Sequence, residues 1–272
     1  MTHLTFELLA IGNEILQGDV LDTNSHWLCR ELAERGARVL RITVLPDDER
    51  VIGEGVIAAL GRRPSAVITC GGLGPTVDDL TAGAVASALG RPLAEDAVAL
   101  RMVTELYRRL FALSQVPTGE LTPARRKMAN LPAGALPLPN SVGAAPGIWL
   151  EHEGATVVCL PGVPAEMKAI FTEQLWPRLA ARRSTGAAPV FAERLVRTDS
   201  QDESLMAPAV DAVTARHPLV YVKSRAQVYG GSETDFVTLS VRAVDQAEAT
   251  DLLDAAETDL RAALAAVGVK TS

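Results

Sequence analysis

The sequence predicts an α/β fold in which a mostly parallel sheet is covered by helices on both faces, followed by a small α+β domain. Two observations carry the first part. Short apolar runs rich in β-branched residues alternate with helix-forming stretches as far as residue 181, the pattern of βαβ units around a buried parallel sheet. A glycine-rich stretch, Cys70-Gly71-Gly72-Leu73-Gly74-Pro75-Thr76-Val77-Asp78-Asp79-Leu80-Thr81, joins one such strand to one such helix. The third observation concerns the end of the chain, where the order becomes β-α-β-β-α with strict alternation in one strand, a two-layer arrangement. The domains are therefore expected at 1–181 and 190–272.

In chain order, Phe6 to Ile11 is apolar apart from Glu7 and reads as the first strand. Gly12-Asn13-Glu14 stands at its carboxyl end, where open α/β sheets bind ligands. Asp22-Thr23-Asn24 offers helix caps before a helix stopped by Gly36, and Val39 to Val44 is the second strand. Asp47 or Asp48 caps a helix ending at Gly61, and Ala66 to Thr69 is the third strand. Ala82 to Leu89 forms a helix that Gly90 stops. Asp96 to Leu113 is a long amphipathic helix. Thr122-Pro123, an N-cap followed by proline at the first helical position, opens a short one carrying Arg125, Arg126 and Lys127. That basic trio has two uses: a solvated face, or one member reaching a phosphate. Pro132 to Gly147 holds four prolines and three glycines and reads as a long ordered loop able to fold over a ligand. Ile148 to Leu150 and Thr156 to Leu160 form a hairpin, and Pro161-Gly162-Val163-Pro164 leads into a further helix.

Arg182 to Pro189 reads as an exposed, protease-sensitive linker. Beyond it, Phe191 to Thr198, Val220 to Val228 and Phe236 to Ala243 are expected strands. Glu203 to Ala215 and the stretch bearing Ala249, Leu252, Leu253, Ala256, Leu260 and Leu264 are expected helices. In Phe236 to Ala243, Val237, Leu239 and Val241 should point inward and Thr238, Ser240 and Arg242 outward.

The central stretch carries the chemistry. Glycines let a backbone approach a ligand closely, and N–H groups at a helix start favour an anion such as phosphate. Asp78 and Asp79 beside such an anion would repel it unless a divalent cation stood between. The stretch therefore reads as a phosphate and metal site; the plainer use of Asp78 is as helix N-cap. Lys and Arg total 26 against 33 Asp and Glu, a formal net charge of -7, which argues against a nucleic-acid partner. No apolar run is long enough to span a bilayer. Three distant cysteines, Cys29, Cys70 and Cys159, read as reduced thiols of a cytoplasmic protein.

Five motifs, in this order, resemble those of the CinA (competence/damage-inducible protein) family: Gly12-Asn13-Glu14-Ile15-Leu16; Asp22-Thr23-Asn24; Gly71 to Thr81; Pro139-Asn140 with Gly143 to Gly147; and Leu160-Pro161-Gly162-Val163-Pro164. The resemblance runs from Phe6 to about Trp176. It implies a MoaB/Mog-type molybdopterin-binding domain with a three-layer α/β/α fold. Two activities come with it: a metal-dependent pyrophosphatase acting on ADP-ribose to give AMP and ribose 5-phosphate, or molybdopterin binding and adenylylation. The molybdopterin enzymes typically carry Gly-Gly-Thr-Gly and then Arg-Asp. Here Leu73 stands in the Thr place and Asp78 in the Arg place, which favours the CinA-like activity. A nucleotide sensor without catalysis is a further alternative. The C-terminal amidase domain of many CinA proteins is not expected in this chain, which ends at Ser272.

The expected site follows. Asp78, Asp79 and Glu14 are catalytic, with Asp78 and Asp79 holding Mg2+ or Mn2+. Asn13, Gly71, Gly72, Gly74, Pro75, Thr81, Asn140, Gly143, Pro146, Gly147 and Gly162 bind the ligand, a nucleotide or pterin phosphate. A homo-oligomer is expected.

Overall fold

The structure, a computed structural model, describes residues 4–182, 190–200, 202–225 and 236–272. The chain forms two compact units, residues 37–184 making up most of the first and 185–272 most of the second.

The first unit begins β1 (Thr5–Ile11), α1 (Asn13–Leu16), α2 (Thr23–Glu34), β2 (Arg38–Leu45), α3 (Glu49–Gly61), β3 (Ala66–Cys70) and α4 (Thr81–Ala88). It continues β4 (Leu93–Glu95), α5 (Ala97–Ala112), α6 (Pro123–Lys127), β5 (Asn130–Pro132), β6 (Leu136–Leu138), β7 (Gly147–His152), β8 (Ala155–Leu160), α7 (Pro164–Ile170) and α8 (Trp176–Ala181). Caps set several helix starts: Asp48 accepts from Val51 N–H, Asp96 from Val98 and Ala99, and Thr122 from Arg125. A π-helical turn, Phe171–Leu175, joins α7 to α8. Pro177 near the start of α8 lacks the N–H that an unbroken α-helical ladder would use, which accounts for a locally wider turn.

The sheet order is β2-β1-β3-β8-β7-β6. The first four strands are parallel, β7 runs antiparallel to them, and β6 pairs antiparallel with β7. Its apolar side chains divide between two cores. Leu9, Ile11 and Val67 pack with Ile52, Val56, Val85 and Val103 of α3, α4 and α5. Phe6, Leu8 and Ile68 pack with Leu28, Leu32, Met167 and Ile170 of α2 and α7. Helices therefore cover both faces. Glu7, the one charge in β1, is fully buried and meets Arg62 through two hydrogen bonds of 2.5 Å. A bidentate guanidinium is what a carboxylate in that position requires.

The expected loop needs correction here. Pro132 to Gly147 is not one loop, because β6 lies within it and pairs with β7. Pro137 is tolerated there because β6 is an edge strand, where a missing N–H costs no ladder bond. Arg182, the first residue of the expected linker, is exposed but anchored. It pairs with Glu151 at 2.7 Å and stands over the Trp149 ring at 4.8 Å, so it belongs to the first unit. The rest of the expected linker, 183–189, and the end of the expected strand at 226–228 lie outside the described residues.

The second unit contains β9 (Val190–Arg197), α9 (Glu203–Arg216), β10 (Val220–Arg225), β11 (Phe236–Ala243) and α10 (Gln246–Ala266). The strands form an antiparallel sheet ordered β10-β11-β9. Val237, Leu239 and Val241 pack against Leu253, Leu260 and Leu264. Thr238, expected to face outward, is buried, and among the described residues its hydroxyl has no hydrogen-bond partner.

Candidate functional site

The chain passes from β1 to β2 on one side and then to β3 on the other, so the strand order reverses between β1 and β3. A crevice at the carboxyl ends of the strands forms at such a point. Gly71, the first residue after β3, has φ +115, and a Cβ there would lie 2.2 Å from the Ile11 carbonyl oxygen. Its N–H donates to Leu160 O at 3.0 Å. The ends of β1, β3 and β8 thus meet at a residue that can only be glycine. Gly72 has φ +69, and its Cβ would collide with the Thr81 hydroxyl oxygen at 2.2 Å.

That hydroxyl donates to Gly71 O at 2.8 Å, and the Thr81 N–H donates to Gly72 O at 3.1 Å. Thr81, expected to bind ligand, is instead fully buried and fixes the loop from behind. Among the described residues, no acceptor takes the N–H groups of Gly72, Leu73 or Gly74. Three successive backbone donors are thus left without a protein acceptor, next to two glycines of positive φ.

The acids stand around this loop. The Thr76 N–H donates to Asp79 Oδ2 at 2.8 Å, and the Thr76 hydroxyl reaches the same oxygen at 2.5 Å. That hydroxyl also meets Asp78 Oδ1, so two carboxylates converge on one group. Bonding to Thr76 first, and then to backbone, holds the exposed Asp78 carboxyl below the usual carboxylate range; the Lys127 charge adds to this. Asp78 does not cap α4: the cap position is Leu80, with no side-chain bond. The carboxyl is turned toward Thr76 instead. The Lys127 ammonium donates to Thr76 O, whereas Arg126 pairs with Glu95 and Arg125 stacks on Tyr107 at 3.8 Å. Of the basic trio, Lys127 is the member at the glycine loop.

Glu14 lies in α1, just past the end of β1, its carboxyl over Gly12, where a Cβ would come within 2.4 Å. The Asn13 N–H donates to Asp47 Oδ2 at 2.8 Å, which ties the turn after β1 to the turn after β2. Asn140 holds its own loop: Oδ1 accepts from Val142 and Gly143, and Nδ2 donates to Ala145 O and to Glu166 Oε2 at 2.6 Å. Burial pushes the Glu166 carboxyl up, against the opposing effect of the Asn140 bond. Gly147 is buried against Ile170, Cys159 and Leu138 and serves packing.

A cavity of about 390 Å³ gathers Gly12, Glu14, Asp47, Gly71, Gly72, Gly74, Pro75, Thr76, Asp78, Asp79, Gly162 and Glu166, a volume suited to a small ligand. A second cavity of about 230 Å³ borders the same loop and is lined by Gly72, Gly74, Asp79, Lys127 and Pro146 among others. Asn13, Asn140 and Gly143 line neither cavity. Thr76, Asp47, Lys127 and Glu166 were not among the expected site residues; only the basic trio gave a signal for one of them. Among the described residues, no group of three or more His, Cys, Asp or Glu is close enough to hold a metal ion. The Asp78 and Asp79 pair would need ligand or water oxygens to complete a shell.

The family signature described as a probable molybdopterin binding domain matches residues 7–181. A protein of Pyrococcus furiosus is 40% identical over 205 residues, 75% of this chain and 79% of that protein. One from Thermococcus kodakarensis is 38% identical over 242 residues, 89% of this chain and 92% of that protein. Among solved structures, the protein CinA of Thermoplasma acidophilum, of unknown function, aligns with a TM-score of 0.57 at 36% identity, covering 62% of this chain and 95% of that one.

Proposed function

The chain belongs to the family of probable molybdopterin-binding domains, and on that premise we propose that its glycine-loop cavity binds a small phosphorylated ligand of the pterin or nucleotide class. The observation that supports this best is the row of free N–H groups at Gly72, Leu73 and Gly74, opening on the cavity where the strand order reverses. The donors would take phosphate oxygens, and Lys127 beside the loop would offset the charge.

A second reading, hydrolysis of a pyrophosphate bond as in ADP-ribose, is favoured by the convergence of Asp78 and Asp79 on the Thr76 hydroxyl. Hard oxygen donors of this kind fit Mg2+ or Mn2+. Asp78 and Asp79 would hold the ion, which supplies charge neutralisation on the phosphates and an activated water. Glu14, which lines the same cavity, would orient that water. Self-association is also proposed. Leu40 and Ile42 are about half exposed on the edge strand β2, a surface a second copy would cover; sedimentation of the full chain tests it.

The test of function is a calorimetric titration of the full chain with pyrophosphate, ADP-ribose and a pterin phosphate, with AMP release followed in Mg2+ and in Mn2+. Binding of pyrophosphate in competition with one of the larger ligands supports the phosphate site. AMP release that depends on the metal supports the second reading. Failure of all three to bind would remove the phosphate assignment.

A further inference from the structure

Glu166 takes no part in the phosphate cradle, yet its side chain lines the same cavity. Its surroundings are fixed. Oε2 accepts from Asn140 Nδ2 at 2.6 Å. The orientation of the Asn140 amide is set by its other contacts, since Oδ1 accepts two backbone N–H groups and Nδ2 also donates to Ala145 O. Gly143 gives the carboxyl its space, because a Cβ there would fall 2.0 Å from Glu166 Cδ. Among the described residues, no cation pairs with Glu166 and no donor reaches Oε1.

This half-buried carboxylate therefore has one oxygen held and the other open to the cavity, where a ligand donor can replace water. A divalent ion shared with Asp78 and Asp79 does not fill that place, since no three of the described acids are gathered for one. A phosphate group would be repelled. A flat edge with two parallel N–H donors, as on a pterin or guanine ring, would have to share Oε2 with the Asn140 amide. A single hydroxyl needs only Oε1.

We propose that Glu166 is a specificity residue whose free oxygen accepts a hydrogen bond from a hydroxyl on the sugar or polyol part of the phosphorylated ligand. This rests on the phosphate-site reading above, which fixes where the ligand's phosphate lies. Asn140 and Gly143 are positioning residues for that carboxylate.

The experiment uses the full chain and three probes: ribose 5-phosphate, pentyl phosphate, which keeps the phosphate and chain length without hydroxyls, and pyrophosphate. Wild type should prefer ribose 5-phosphate over pentyl phosphate by about tenfold or more, the usual effect of one hydrogen bond to a charged group. Glu166→Gln should remove most of that preference while leaving pyrophosphate affinity unchanged or tighter, since a negative charge has gone. Gly143→Ala, which displaces the carboxyl but keeps its charge, should also lose the preference. Thermal melting establishes that each variant is folded; if Glu166→Gln is not, the wild-type comparison and Gly143→Ala decide. Equal wild-type binding of the two monophosphates would overturn the proposal. So would an equal loss for all three probes in Glu166→Gln, the signature of a residue that only holds its loop. If pyrophosphate itself fails to bind wild type, the phosphate-site reading falls and this proposal with it. If pyrophosphate binds and no hydroxyl preference is found, only the role of Glu166 is refuted.

Discussion

Gly71→Ala should be among the most destabilising single-methyl additions in the first unit. Two costs add. At φ +115 the residue occupies backbone space that side chains rarely enter, a strain of about 1–3 kcal/mol. The new Cβ would also stand 2.2 Å from Ile11 O and 3.2 Å from Ile11 C. Those atoms belong to β1, which is paired on both sides, with β2 and with β3. They cannot retreat as a side-chain end would, so overpacking adds about 1–3 kcal/mol. The sum, about 2–6 kcal/mol, is a large share of the total stability of about 5–15 kcal/mol typical of a folded protein. Gly154→Ala is the control: φ is +83 with nothing within 4 Å of its Cβ, so it should cost only the left-handed penalty of about 1–2 kcal/mol. Urea unfolding followed by tryptophan fluorescence separates the two, because Trp27, Trp149 and Trp176 all lie in the first unit. Equal midpoints for the two variants would refute the close apposition of the turns after β1 and β3.

Other outcomes follow from the same structure. Arg62→Met strands the buried Glu7 carboxylate and should cost about 3–5 kcal/mol, most of it recovered by adding Glu7→Leu; urea midpoints of the single and double variants check this. Burial pushes the Cys70 thiol up to about 12 and the Cys159 thiol up to about 11. Both stay protonated at pH 8, so a disulfide reagent should leave them unmodified in the native protein and count three thiols after unfolding. Asp79→Asn keeps an acceptor for the Thr76 N–H and hydroxyl, so the melting temperature should move little. Under the hydrolytic reading, metal-dependent AMP release should fall by orders of magnitude; wild-type turnover across a Mg2+ and Mn2+ titration would exclude Asp79 as a metal ligand.

Much of the fold was legible because it rests on local chemistry. The apolar, β-branched run at Ala66 becomes the fully buried β3, and Asp48, Asp96 and Thr122 cap the helices they precede. β6 was hidden because Pro137 forbids a central strand, and nothing local shows that a segment lies at an edge. At the site, Gly74 and Gly143 read as places where backbone meets ligand, and Gly12 stands beside the expected Asn13 and Glu14. In the structure a Cβ at Gly12, Gly74 or Gly143 would collide with a carboxylate: Glu14, Asp79 and Glu166 respectively. These glycines make room for the protein's own acids. The contact of Asn140 with Glu166 spans 26 positions, and no spacing rule reaches that far. Asp78 sits where a cap is expected, but Thr76 two residues earlier offers a nearer donor and draws it away.

Amide hydrogen exchange of the full chain with and without saturating ADP-ribose tests the central claim most directly. The account places the phosphates on the N–H groups of Gly72, Leu73 and Gly74 and the rest of the ligand beneath the loop that Asn140 holds. Exchange should slow at residues 71–76 and 140–147 and stay unchanged in 190–200 and 236–272. Protection confined to the second unit, with exchange at 71–76 unaltered, would contradict it.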